Sequence, residues 1–236
     1  MIQLKNFSIG YANRTLLKDV NAEIAEGKLS ALLGRNGTGK STLLKAIAGL
    51  NQDYKGEIIM DGKNIKKIPK PELASIISYV NTQRPRIANL RCKDVVALGR
   101  SPYTGWHGIL REKDKLIINK AIEMVGMKNF ANRYFNSLSD GECQKVMIAR
   151  SLAQDTPIIL LDEPTSFLDL PARYELISFL KKLSLEEKKT IFYSTHELDV
   201  AAKFSDFVAL IVDEKLEYFP ATEMSENPHL KQFLPE

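Results

Sequence analysis

Residues Gly34-Arg35-Asn36-Gly37-Thr38-Gly39-Lys40-Ser41-Thr42 have the types and spacing that hold a polyphosphate. Glycines let backbone N–H groups wrap a phosphate, and a helix starting near Lys40 adds the favourable end of its dipole. In this pattern Lys40 reaches the β- and γ-phosphates, and the Ser41 hydroxyl holds Mg²⁺. Far along the chain, the apolar run Ile158 to Leu161 ends in two adjacent carboxylates, Asp162 and Glu163, followed by Pro164. Side chains alternate across a strand, but the last residues turn into the loop, so both acids can face one nucleotide. Asp162 is expected to hold the metal, and Glu163 to polarise an attacking water. Alone, an Asp-Glu pair at a strand end is commonly a loop start. Sharing a chain with a phosphate loop favours the catalytic reading, an ATPase using ATP and Mg²⁺.

These residues need strands that end together and helices that start beside them. Ile2 to Phe7 alternates, and Leu29 to Leu33 is a short apolar run of the buried-strand kind. A helix follows from Lys40 to about Gly49, whose glycine suits a left-handed cap. Gly56 to Met60 leads into Asp61-Gly62, a hairpin-turn pair, and Ser75 to Val80 reads as a further strand. From about 86 to 155 the spacing is helical, with Ile117, Ala121 and Met124 on one face and Val146, Ala149 and Ala153 on another. Strand and helix then alternate again: Pro157–Asp162, a helix opened by Pro171 and striped by Leu176, Leu180 and Leu183, strand Thr190–Thr195, helix Glu197–Phe204 and strand Phe207–Val212. Such alternation implies an α/β fold with a mostly parallel sheet and helices on both faces.

Leu138-Ser139-Asp140-Gly141-Glu142, lying between the phosphate loop and the Asp162 strand, narrows the reading. It resembles the signature segment of ATP-binding-cassette (ABC) ATPases, and the resemblance extends over essentially the whole chain. It implies a P-loop core formed by 1–85 and 156–236, with an N-terminal antiparallel β portion and an inserted helical subdomain at 86–155. Further roles follow from the same resemblance. Gln83 would join Ser41 and Asp162 at the metal, and Tyr11 would stack on adenine. Asp169, in Ser166-Phe167-Leu168-Asp169, would serve the dimer interface, and His196 would be the switch histidine beside Glu163 and Lys40 in catalysis. Ser139, Gly141 and Glu142 would form the site facing the γ-phosphate held by the Gly34–Thr42 loop of a second, head-to-tail copy, with Ser139 and Gly141 making the contacts. Ser139-x-x-Glu142 is also a capping box, and the two roles are compatible. The segment departs from the commonest signature at Asp140 and Glu142, and the Ser166–Asp169 stretch at Phe167. Both acids have to point away from phosphate.

Val96-Ala97-Leu98-Gly99-Arg100-Ser101-Pro102-Tyr103, with Val125-Gly126-Met127 downstream, resembles the ATPase subunits of importers for ferric siderophores, haem and vitamin B12. The resemblance implies transmembrane permease subunits as direct partners and a periplasmic or lipoprotein substrate-binding protein as an indirect one. It also implies a peripheral position on the cytoplasmic face of the inner membrane. Trp106-His107-Gly108 would be a surface loop or a docking element for the permease. A soluble cassette of the iron–sulfur assembly type is the alternative, and copurification with a polytopic membrane protein separates the two.

Composition agrees with a globular domain. The 236 residues are 44% hydrophobic and 26% charged, ordinary values for such proteins. No apolar run approaches the ~18–20 residues that cross a bilayer, and the opening MIQLKNFSIGY lacks the pattern of a secretory signal, so a membrane role is expected to depend on a partner. The two cysteines, Cys92 and Cys143, lack metal-type spacing and read as reduced thiols. A net charge of +4, scattered along the chain, gives no concentrated basic face, and no nucleic-acid partner is expected.

Overall fold

In the computed structural model, which describes residues 2–11, 14–83, 85, 89–105 and 107–230, the chain opens with two long strands, β1 (Ile2–Tyr11) and β2 (Arg14–Ile24). β3 (Leu29–Leu33) runs through the phosphate loop into α1 (Lys40–Ile47). β4 (Tyr54–Met60) and β5 (Lys63–Asn64) pair across Asp61 and Gly62, both at positive φ (47° and 78°), as a tight hairpin turn requires. α2 (Lys70–Ile76) and β6 (Ile77–Val80) follow, then α3 (Cys92–Ala97), a 3₁₀ segment (Leu98–Tyr103), α4 (Glu112–Met124) and α5 (Asp140–Ala153). β7 (Ile158–Leu161), α6 (Leu170–Glu186), β8 (Thr190–Ser194), α7 (Leu198–Phe204), β9 (Phe207–Val212) and β10 (Lys215–Pro220) complete the order.

Among the described residues the longer sheet has the order β10-β9-β3-β8-β7-β6, and the other has β2-β1-β4-β5. Strands β9, β3, β8, β7 and β6 are parallel, β10 is antiparallel to β9, and the four-stranded sheet is antiparallel throughout. This is the α/β architecture with an antiparallel portion that the sequence implies.

Alternation along the central strands sorts the core into two layers. Ala31, Ile159, Leu161, Ile191, Tyr193, Val208 and Leu210 face the layer shared with α3, α4, α5 and α6. Leu32, Ile158, Leu160, Phe192, Ala209 and Ile211 face the opposite layer, which holds α1 and the inner sides of β1 and β4. Both faces of a parallel sheet must be covered, so its strands read as unbroken apolar runs. Each fully buried Leu, Ile or Phe contributes roughly 1.5–3 kcal/mol of transfer free energy. The Tyr193 hydroxyl, buried with its ring, is satisfied by Ser205 Oγ at 2.9 Å.

One sequence expectation changes. Ser75 and Ile76 are not strand but the end of α2; the strand is confined to Ile77–Val80. Pro71 in the first turn of α2 is pre-organised for a helix start, and Leu73 supplies its buried contact. β2 and β10 carry no expectation from the sequence, although both are fully formed.

The Gly99-Arg100-Ser101-Pro102-Tyr103 stretch turns inward. Gly99 lies so close to α5 that a Cβ there would sit 2.2 Å from the Arg150 carbonyl oxygen. Arg100 is buried, and donates through Nε to Asp114 Oδ1 and through its terminal nitrogen to the Ala153 carbonyl, both over 2.9 Å. Tyr103 lies under the guanidinium at 4.1 Å and donates to Gln154 O over 2.9 Å. This stretch joins the start of α4 to the end of α5. His107 and Gly108 are exposed beyond it, and Trp106 falls outside the described residues.

Candidate functional site

β3 delivers the chain into the phosphate loop, and α1 receives it. Gly34 is buried at the strand end, Arg35, Asn36 and Gly37 are exposed, and Gly39, Lys40 and Thr42 are buried where the helix starts. Gly39 has φ 107°, a backbone conformation only glycine adopts without strain, and a Cβ there would also meet Leu16 at 3.1 Å. Thr38 Oγ1 donates to Arg35 O over 2.9 Å, and Arg14 donates to Gly37 O over 3.2 Å, so the loop is braced from inside and from β2.

Lys40 lies across this loop. Its ammonium donates to the carbonyls of Gly34 at 2.7 Å and Arg35 at 3.2 Å. Burial pushes its pKa below the ordinary lysine value, opposed by the negative charges of Glu163 and then Asp162. A cation enclosed by a loop of backbone donors is suited to a phosphate chain.

Strand order brings the other half of the site here. β8 lies between β3 and β7, so the ends of the phosphate-loop strand and of the carboxylate strand share one edge of the sheet. Ser41 Oγ donates to Asp162 Oδ1 over 2.9 Å, and Ser194 Oγ donates to the same oxygen over 2.7 Å. Tyr79 reaches Asp162 Oδ2 at 3.4 Å, and its phenol pKa is raised, by burial first and then by the Asp162 charge. Thr82 donates to the Asp162 carbonyl over 2.8 Å, and Gln83 follows with an exposed side chain.

Glu163 has φ 46°, in the left-handed region that non-glycine residues enter only when their surroundings hold them. Its N–H donates to Ser194 Oγ over 2.8 Å. The charges of both Asp162 and Glu163 act on the Lys40 ammonium, so the two acids lie near the phosphate loop. His196 is exposed two residues after Ser194. Its loop is fixed by Glu197, which pairs with Arg173 at 2.6 Å and accepts from Thr165 at 3.3 Å. Ser194, Thr82 and the Arg173–Glu197 pair were not foreseen. The one signal for Ser194 was a small hydroxyl residue ending the Thr190–Ser194 strand two positions before His196.

Ser41 and Asp162 present oxygen donors at one end of the phosphate loop. Mg²⁺ takes few protein ligands and completes its shell with phosphate oxygens and water, so this sparse set fits it. Among the described residues no cluster of three or more His, Cys, Asp or Glu could hold a metal by itself. Tyr11 is 57% exposed while its hydroxyl bonds with Thr42 Oγ1 at 2.9 Å, so a free aromatic face lies beside the phosphate loop.

The Ser139 segment forms the start of α5 as a complete capping box. The Glu142 N–H donates to Ser139 Oγ at 3.3 Å, and the Ser139 N–H donates to Glu142 Oε2 at 2.8 Å. Glu142 is thus turned back on its own cap. Gly141 packs on the next loop, where a Cβ would meet Leu168 at 3.1 Å. Asp169 accepts from the Ala172 N–H at 3.1 Å and caps α6. Among the described residues no hydrogen bond joins Ser139, Gly141 or Glu142 to the chain's own Gly34–Thr42 loop.

The family described as ABC transporter matches residues 17–166. The iron(3+)-hydroxamate import ATP-binding protein of Bacillus subtilis is 35% identical over 207 residues, covering 88% of this chain and 77% of the relative. A dimeric ATP-binding cassette in a post-hydrolysis state with ADP and phosphate superposes with a TM-score of 0.82 at 30% identity, covering 94% of this chain and 99% of that one. An ABC transporter described as of metal-chelate type, in an inward-facing conformation, gives 0.85 at 26% identity, covering 99% and 89%. Among the described residues no helix is long and apolar enough to cross a membrane.

Proposed function

Because the chain belongs to the ABC transporter family as an ATP-binding, ATP-hydrolysing subunit, we propose that it powers uptake of an iron chelate through separate transmembrane permease subunits. The observation that carries the hydrolytic reading is the meeting of Lys40, Ser41, Asp162 and Glu163 at one edge of the sheet. Support for the chelate class comes from the relatives, one named for iron(3+)-hydroxamate import and one described as of metal-chelate type. The resemblance of Val96–Tyr103 and Val125-Gly126-Met127 extends to haem and cobalamin importers, which form the remainder of that class.

ATP would lie with its adenine on Tyr11 and its phosphates in the Gly34–Thr42 loop. Lys40 would leave the Gly34 and Arg35 carbonyls for the β- and γ-phosphates and hold the developing charge as the terminal phosphoryl group departs. Ser41, Asp162 and Gln83 would hold Mg²⁺, which would supply positive charge to offset that of the phosphates. Glu163 would accept a hydrogen bond from the attacking water and aim it in line with the leaving oxygen, with His196 beside the γ-phosphate. Ser139 and Gly141, at the start of α5, would bind the γ-phosphate held by a second copy. Glu142 closes the cap and keeps its charge off that phosphate, and Asp169 lies in the same interface. ATP would thus hold two copies together, and hydrolysis would release them.

The permease is expected to dock on the face carrying α3, the Leu98–Tyr103 segment and the loop after it, with the complex at the cytoplasmic side of the inner membrane. Gentle detergent extraction of native membranes, with crosslinkers placed between residues 86 and 110, tests this. Recovery of a polytopic permease crosslinked to those positions supports import; free protein with no membrane-bound pool supports the soluble cassette.

A further inference from the structure

We propose that Ser194 is a positioning residue for hydrolysis: one hydroxyl holds the Asp162 carboxylate and the Glu163 backbone and ties both to the His196 loop. The proposal rests on the ATPase reading above. Ser194 closes β8, the strand between β3, which feeds the phosphate loop, and β7, which ends at Asp162. The registers pair Leu32 with Ser194 and Leu161 with Tyr193, so one step beyond the last β7–β8 pair brings Asp162 beside Ser194.

The Ser194 side chain is completely buried. A backbone N–H can only donate and an ionised carboxylate can only accept, so the directions of its two bonds are fixed. Ser194 Oγ accepts from the Glu163 N–H at 2.8 Å and gives its single proton to Asp162 Oδ1 at 2.7 Å. Ser41 also donates to that oxygen, at 2.9 Å. Ser41 would also present its oxygen to the metal when the ion is bound. Ser194 would have no such task, because its oxygen is already engaged by the Glu163 N–H, and it would orient Asp162 with or without the ion.

The Glu163 bond has a separate consequence. Glu163 stands at φ 46°, a conformation that persists only where the surroundings enforce it. Ser194 Oγ is the acceptor for its N–H and therefore helps fix where the catalytic carboxylate starts. Thr195 donates to Leu32 O over 3.0 Å, which pins the end of β8 against the phosphate-loop strand, and His196 follows directly. A shift of the His196 loop thus reaches Asp162 and Glu163 through one oxygen.

The test compares the wild-type chain with Ser194→Ala, which removes the hydroxyl and adds no bulk. The affinity for a fluorescent N-methylanthraniloyl ATP is measured in EDTA and over a Mg²⁺ titration, with kcat and KM measured in parallel. The expected result is unchanged affinity in EDTA, with the Mg²⁺ half-saturation raised roughly tenfold, as for a residue standing behind a metal ligand, and kcat reduced more than KM. Wild-type Mg²⁺ dependence and kcat in Ser194→Ala would overturn the proposal. So would an equal loss of affinity with and without the metal, because Ser194 would then only maintain the fold. A wild-type chain that binds no nucleotide in either condition would overturn the ATPase reading and this proposal with it.

Discussion

The Ser41 hydroxyl donates to Oδ1 of Asp162 over 2.9 Å, across 121 positions of sequence. The contact exists because β8 separates β3 from β7 by one strand, so the loop after β3 and the residue after β7 emerge side by side. The two residues that the distant motifs lead one to expect at a metal thus touch each other directly.

Asp162→Asn keeps the shape of this contact and removes the charge. We expect Mg²⁺-dependent tightening of ATP binding to weaken by roughly 10–100-fold, with the fold intact. The variant also removes one of the two negative charges that hold the Lys40 pKa up against burial. Calorimetric titration of ATP with and without Mg²⁺ checks it, and unchanged metal dependence would remove Asp162 from the metal site.

Gly99→Ala places a methyl group where the Arg150 carbonyl oxygen stands 2.2 Å away. The oxygen belongs to packed backbone and the methyl is fixed to its own Cα, so the segment has to move off α5, and overpacking of this kind costs about 1–3 kcal/mol. The urea midpoint should fall accordingly. An unchanged midpoint would mean that the Leu98–Tyr103 segment is not held against α5 in solution.

The sequence showed the site better than it showed the supports of the site. Nine consecutive residues carry the phosphate loop, and three carry Asp162, Glu163 and Pro164, so local pattern sufficed for both. Ser194 gains meaning only from the strand order β3-β8-β7, a non-local property that no spacing reveals. β2 escaped because its pairing with β1 shifts register three times, which breaks the alternation that marks a strand. The Ile76-Ile77 pair drew the β6 expectation two residues too early, since a short apolar run does not distinguish the end of a helix from the start of a strand.

Asp114 gives a pH test of the link between α4 and α5. The Arg111 N–H and then the Arg100 guanidinium hold its carboxyl below the usual aspartate range. Between the lowered value and the ordinary one near ~4, the unfolded chain binds more protons than the folded one, so stability rises with pH through that window. Its contribution is complete above the ordinary value and is lost as pH falls through the lowered one. Asp114→Asn should therefore be less stable than wild type near pH ~7, with the difference shrinking as both are acidified below ~4. Denaturant melts at several pH values decide it, and a pH-independent difference would mean that the carboxylate charge contributes nothing.

Glu163→Gln separates nucleotide binding from hydrolysis. The amide keeps the length and the hydrogen-bonding reach of the side chain but cannot attract a proton from water. Lys40, Ser41 and Asp162 are untouched, so ATP and Mg²⁺ should still bind. Turnover should fall by about 10²–10⁴-fold, the usual share of a general base. With hydrolysis blocked, ATP would stay between the phosphate loop of one copy and the Ser139 helix start of the other, and a ligand bound across an interface stabilises that interface by mass action. Size-exclusion chromatography in MgATP should then show a dimer for Glu163→Gln and mainly monomer for wild type in ADP. Ser139→Arg added to Glu163→Gln should return the monomer, because the larger side chain occupies the place of the partner's γ-phosphate while α5 keeps its other contacts. Normal hydrolysis by Glu163→Gln would show that a different residue activates the water. Tight ATP binding without a dimer, even with the permease present, would show that the two sites are not shared between copies.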